Sequence, residues 1–275
     1  MKHAIKMIRG FTLVELLVVM SIIALLMTLL VPTITKAFEV VRKYRTLNEF
    51  KELGIAIQSF RNDWGDIPPS RSKTLTGGTG EMTTGAANLP YYLLGPGGSG
   101  WGTSGGGAMP FAGAGRPTRA YGPYYQVDKE YLGDEKSASG SVVLSGFLDA
   151  FKEGYWKLAD GSLVPRGRIL YFKYDAAATA QSAKYSVADN GVDVNGQTNF
   201  ADQNKFIDAV IKSAYVGIRV DPADTKSWNW PRADYLLISP GPDGRYGYAK
   251  TNSDGTIGPA LSGDAGATCD DIFNW

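Results

Sequence analysis

One carboxylate, Glu15, stands five residues into an apolar run that extends from Phe11 to Val31. A charged side chain deep in a bilayer costs on the order of 3 kcal/mol, so an acid in such a run needs a cationic partner, a function, or a position near the interface from which it can snorkel. Two further patterns of catalytic type lie in a glycine-rich stretch. Gly100-Trp101-Gly102-Thr103-Ser104-Gly105 has GxGxxG spacing, but it neither follows a strand directly nor opens a helix, as a dinucleotide cradle requires. Gly102-Thr103-Ser104-Gly105-Gly106 has the GxSxG spacing of a nucleophile elbow, and a serine nucleophile needs a base. The single histidine, His3, precedes the apolar run. A Ser-His-Asp triad and a histidine-based zinc site are both excluded from the chain beyond residue 10. Acid pairs such as Asp221 with Asp224 are ordinary surface chemistry, so no enzyme is expected.

The element that must position Glu15 is a helix. Phe11 to Val31 spans 21 residues with one ionisable group, and an apolar run above about 18 residues reads as a membrane-spanning helix. Ahead of it, Met1 to Gly10 carries Lys2, Lys6 and Arg9 and no acid, which places this end on the cytoplasmic side by the positive-inside rule. The bulk of the chain is then exported. A secretory signal shares the basic leader and apolar core, but its core is shorter, and no small-x-small site follows Val31-Pro32-Thr33.

The helical pattern continues past Pro32. Ile34, Phe38, Val41, Tyr44, Leu47, Phe50, Leu53, Ile57 and Phe60 recur at steps of three or four, with charged residues between them. Counted from Phe11 to about Arg61, such a helix would run roughly 75 Å. Pro32 removes one backbone donor and is expected to kink the rod or melt it locally. The outer half of the stripe should pack on a globular head, whereas the inner half has nothing of its own to cover it. Asn62-Asp63-Trp64-Gly65-Asp66-Ile67-Pro68-Pro69 supplies a stop, since glycine takes positive φ readily and two prolines forbid continuation.

Composition sets the outer limits. The 275 residues are 44% apolar and 20% charged, which suits a folded head. Without the first ten residues the chain holds 25 basic against 27 acidic side chains, so no broad basic field for nucleic acid follows. Cys269 is the sole cysteine, and no intrachain disulfide can close the C-terminal region.

Residues 77–115 contain 14 glycines and read mostly as a mobile surface loop, with Leu89-Pro90-Tyr91-Tyr92-Leu93-Leu94 an island of helix or strand. Arg168 to Tyr174 is rich in β-formers and reads as a strand. Within 176–230, Asn204–Ser213 has a helical pattern, Tyr215–Val220 reads as a strand, and Trp228-Asn229-Trp230-Pro231 as a packed loop. Tyr235 to Ser239 is a further β run, entering the turn Pro240-Gly241-Pro242-Asp243-Gly244 with one acid in it.

Arg9-Gly10-Phe11-Thr12-Leu13-Val14-Glu15, followed at once by the apolar helix, resembles the class III signal of type IV pilins and of the pseudopilins of type II secretion. The resemblance implies that a membrane prepilin peptidase cuts between Gly10 and Phe11 and methylates the new amine of Phe11. It also implies that Glu15 neutralises that amine on a neighbouring copy, a pair that sets register in low dielectric.

A second similarity lies at Tyr235–Gly244 and Asp271-Ile272-Phe273-Asn274-Trp275, which resemble the C-terminal region of major pseudopilins. Many type IV pilins close this region with a disulfide, whereas major pseudopilins use a calcium loop, so the lone Cys269 leans towards the second group. By resemblance Asp243 and Asp271 are the calcium ligands, with Asp270, Asn252 and Asp254 as additional candidates; hard oxygen donors on a flexible turn suit Ca2+. The alternative is a plain Asp-Gly turn with Asp270 and Asp271 solvated.

The fold expected from this resemblance is α+β and pilin-like, a long N-terminal helix packed on a small antiparallel sheet with long loop insertions. Residues 1–10 form a cleaved leader and 11–62 the helix, with 11–31 the transmembrane segment and filament core. Residues 63–275 form a periplasmic or extracellular head, including the glycine-rich loop 77–115 and the metal-loop region 235–275. The implied role is a structural subunit of a secretion pseudopilus or related filament, held in the inner membrane by one span with its N-terminus cytoplasmic before cleavage. Its implied partners are identical subunits, the prepilin peptidase and an inner-membrane assembly platform. The alternative is a minor pilin or adhesin-like binding module on the same export route.

Overall fold

The structure, a computed structural model, describes residues 12–70, 84–95, 98–102, 120–136, 139–140, 142–152, 154–157, 161, 163–179, 184–186, 189–190, 233–247, 249–251, 253, 257–259 and 269–274. The helix and strand expected at Asn204–Ser213 and Tyr215–Val220, and the loop Trp228–Pro231, lie outside the described residues. Two compact units divide the chain, the first up to Arg42 and the second from Lys43.

A single helix, α1 (Leu13–Trp64), contributes to both units. In the first unit its apolar side chains stand in the open, Leu13 at 78% and Leu29 at 68% exposure, with Ile34, Phe38 and Val41 also exposed. Pro32 sits inside the helix, so the local melting expected there does not occur. The missing proline N–H leaves the Thr28 carbonyl without its helical donor, while nearby hydroxyls back-bond neighbouring carbonyls. Here the Thr33 hydroxyl donates to the Leu29 carbonyl at 3.0 Å and Thr35 to that of Val31 at 3.0 Å.

In the second unit the same periodic pattern turns into core. Phe50, Leu53, Ala56, Ile57 and Phe60 are buried at the three- and four-residue steps that put them on one face. Each large member contributes on the order of 1.5–3 kcal/mol by leaving water. They cluster with Leu89, Leu93, Trp101, Phe147, Ile169, Tyr171, Leu237 and Ile272. Gly65, at φ 80°, ends the helix with its amide on the Arg61 carbonyl at 2.7 Å, and Pro68 then offers its carbonyl to the buried Tyr171 hydroxyl at 2.6 Å.

The island expected at Leu89–Leu94 within the glycine-rich stretch is helical and begins four residues earlier, at Gly85. Thr84 caps α2 (Gly85–Leu94) by accepting from the Ala87 amide, and nearly all of that helix is buried. Beyond it Trp101 is fully buried, donates its indole N–H to the Tyr92 carbonyl at 2.9 Å, and exchanges backbone hydrogen bonds with Tyr121 at 2.7 and 2.8 Å. Glycine supplies the close approach that these contacts need: a Cβ on Gly85 would lie 2.0 Å from the Tyr171 carbonyl oxygen. Two helical turns and one indole thus offset chain entropy that glycine composition alone would leave unmet.

The β strands pair antiparallel throughout the described residues. β1 (Leu132–Lys136), β2 (Val142–Phe147), β3 (Tyr155–Lys157) and β4 (Leu163–Pro165) form a four-stranded sheet in the order β2-β1-β4-β3. A second sheet places β6 (Tyr235–Ser239) between β5 (Leu170–Lys173) and β9 (Ile272–Phe273), and β7 (Ala249–Thr251) pairs with β8 (Ile257–Pro259). The architecture is the α+β, pilin-like arrangement expected, with three small sheets in place of one. Leu236, Leu237 and Ile238 are wholly buried, as a central strand covered on both faces demands.

Candidate functional site

Thr12 and Glu15 open α1. The Thr12 amide and hydroxyl both donate to Glu15 Oε2, at 2.9 and 2.8 Å, and the Glu15 amide donates to the Thr12 hydroxyl at 3.2 Å. This is a capping box, two reciprocal bonds that satisfy amides left over at a helix start. The Thr-x-x-Glu spacing is visible in the sequence, yet reading Glu15 solely as an assembly residue passes over it. Glu15 is exposed, and the apolar surface of α1 continues beyond it to Val31, about four turns. Among the described residues α1 is the one helix long and apolar enough to cross a membrane, and its most apolar stretch has no buried residues. Gly10 and Phe11 lie outside the described residues.

The other candidate is the turn after β6. Gly241, at φ 65°, takes a conformation that L side chains avoid, and a Cβ there would sit 2.3 Å from the Asp270 carbonyl oxygen. This close approach brings the turn beside the segment leading into β9, where β6 pairs Ile238 with Phe273 and Ser239 with Ile272. The Asp243 amide donates to Asp270 Oδ2 at 3.0 Å, the Arg245 amide to Asp243 Oδ1 at 2.7 Å, and the Gly247 amide to Asp271 Oδ2 at 2.6 Å. The fold therefore brings Asp243, Asp270 and Asp271 into one neighbourhood from opposite ends of a 27-residue separation.

Electrostatics there favour an added positive charge. Asp243 is exposed as a residue, yet the protein packed round its carboxyl and the adjacent Asp270 push its pKa up, against the pull of the Arg245 amide. Burial pushes Asp271 up as well, with the Asp270 and Asp243 charges adding to it. Asp271 Oδ1 is buried with no hydrogen-bond partner. Among the described residues, however, no three His, Cys, Asp or Glu side chains are grouped so as to hold a metal ion. Asn252 and Asp254 lie outside the described residues, so any cation shell has to draw on them or on backbone carbonyls.

The profile of the prokaryotic N-terminal methylation motif matches residues 5–31. No curated protein and no solved structure matches the chain. The match supports a type IV pilin-like class III signal and an exported subunit of that general kind, with processing by a prepilin peptidase and assembly into a filament as its ordinary fate. Together with the exposed apolar helix it supports anchoring in the inner membrane, and subunits of this kind are structural and not catalytic.

Proposed function

We propose that the chain is a filament subunit of the major pseudopilin type, serving a type II secretion pseudopilus or a closely related fibre. In this reading the peptidase cuts between Gly10 and Phe11, Phe11 is N-methylated, and Glu15 of one copy neutralises the Phe11 amine of the next. The observation that carries it is the contrast along one helix. Behind the methylation motif, apolar residues as far as Val41 are exposed, while the same periodicity from Phe50 to Phe60 is buried in the head. A surface of that kind leaves water either in lipid or against copies of itself. A lipid anchor alone would not need the motif ahead of it.

The turn after β6 is proposed to bind Ca2+ through Asp243 and Asp271, helped by Asp270, Asn252 or Asp254. The support is the partnerless buried oxygen of Asp271 together with mutual repulsion among three carboxylates. Bound calcium would neutralise that repulsion and tie the turn to the segment before β9. The chain's own residues already hold this neighbourhood in place through the Gly241 approach and the Gly247 amide.

Mass spectrometry of the membrane-extracted chain, co-expressed with a prepilin peptidase, tests the central claim. A chain beginning at methylated Phe11 and recovered in homopolymers is expected. Met1 still attached would overturn it, and processed chain that never forms homopolymers would transfer the reading to a minor, binding-type pilin.

A further inference from the structure

Glu49 lies on the head segment of α1 and is only 8% exposed, and its Oε1 has no hydrogen-bond partner. Against it packs the turn from Asp149 to Lys152. Asp149 is completely buried; its Oδ1 accepts from the Phe151 amide at 2.8 Å and its Oδ2 from the Ser239 hydroxyl. One residue along, the Ala150 amide donates to the Thr46 hydroxyl at 3.2 Å, tying this turn to α1 one helical turn before Glu49. Two acids are thus enclosed at one contact between helix and head.

The cations nearby are largely committed elsewhere. Arg45 on α1 stands over the Tyr131 ring, its Cζ 4.6 Å from the centroid, and Lys152 faces the same ring at 3.3 Å. Lys152 also donates to the Glu130 carbonyl and lies 3.7 Å from that residue's carboxylate. The remaining charged and titratable groups on the elements around the pair are Glu52 on α1, Tyr125 and Tyr131 from the segment before β1, Tyr246 after β6, and buried Arg168 just before β5, which directs Nη2 at the Thr84 hydroxyl at 3.5 Å. Glu52 adds a third negative charge and the tyrosines stay neutral, so the two buried acids are under-compensated.

We propose that Glu49 and Asp149 form a proton-operated latch, closed while they hold protons and loosened once both ionise, which sets how firmly the head grips α1. Burial first, then the Asp149 and Glu52 charges, push Glu49 from 4.5 to about 8, with Arg45 and Lys152 opposing. Burial pushes Asp149 from 3.8 to about 7, against its bonds from Ser239 and Phe151. Both folded-state values are raised. Between the ordinary carboxylate range and pH 7–8 the folded chain keeps protons that the unfolded chain has released. This stabilisation is full below about pH 4 and is lost as pH rises through about 7 and then 8. Acid surroundings tighten the grip and alkaline surroundings loosen it. The latch works the same way whether or not the chain assembles into a filament.

The full chain in detergent micelles tests it, by thermal melting and by hydrogen exchange between pH 5 and 9. The wild-type Tm is expected to fall by about 5 °C or more across this range. After correction for intrinsic exchange, protection of the Ala150 and Phe151 amides is expected to fall with it. Glu49→Gln keeps the shape without the charge and is expected to remove most of that fall and to melt above wild type at pH 9. Glu39→Gln, an exposed acid farther back on the same helix, is expected to leave the slope in place. A flat wild-type profile, or an unchanged slope in Glu49→Gln, would overturn the latch. Should the variant fail to fold, carboxyl NMR of the wild type decides: Glu49 titrating above pH 7 supports it, and titration near pH 4–5 refutes it.

Discussion

Glu15 has one role in the structure and a second on the proposed reading, and the two can be separated at the level of single side chains. As part of the capping box it accepts from the Thr12 amide and hydroxyl, a task that glutamine also performs. As the proposed partner of a neighbouring Phe11 amine it needs its charge. Glu15→Gln is therefore expected to keep helix content, by circular dichroism in micelles, while filament yield collapses at least tenfold. Thr12→Ala is expected to do the opposite, loosening the helix start by about 1 kcal/mol and leaving assembly near wild type. If Glu15→Gln assembles normally, the charge has no part in building the fibre. The charge of Glu15 stood out in the sequence because carboxylates are rare in apolar runs. Its cap did not, because attention to a bilayer hides an ordinary helix-start motif.

At the scale of elements one side chain bridges the backbones of α2 and β5 across their packed joint. Buried Asn190 accepts from the Ala86 amide at 2.8 Å and donates to the Tyr171 carbonyl at 2.9 Å. Asn190→Ala would strand a buried donor and a buried acceptor, and the expected cost is about 2–4 kcal/mol in denaturant unfolding of the full chain. A loss below about 0.5 kcal/mol would mean that water replaces both bonds. Much of α1 and of β5 and β6 could be read in advance, because long apolar periodicity, or a compact β run such as Tyr235–Ser239, states its own environment, whereas β9 is a strand only through its pairing with β6. β1 to β4 were not read individually. Leu132–Lys136 carries Gly133, Asp134 and Glu135, and it becomes a strand through pairing with Val142–Phe147. Likewise α2 contains Pro90 and begins at Gly85, residues that local propensity sets against a helix interior and burial overrides.

For the molecule as a whole, the lone cysteine leaves closure of the C-terminal region to hydrogen bonds, strand pairing and, on the proposed reading, a cation. Melting the full chain in micelles with calcium and with chelator is expected to separate the two midpoints by about 5 °C at a hundredfold excess over the dissociation constant. Coincident curves would remove calcium from the account and leave the filament claim standing. The resemblance alone put the acids of this site together in advance; their spacing did not. Asp243 and Asp270 meet because Gly241 lets the turn lie against the Asp270 carbonyl, a fact of backbone shape that spacing does not encode. The paired backbone bonds between Trp101 and Tyr121 have a practical corollary. They hold residues 101 and 121 together, so doubling the number of residues that join them costs only about 0.6 kcal/mol in closure entropy. A peptide inserted between them is therefore expected to leave the buried Trp101 indole in its seat.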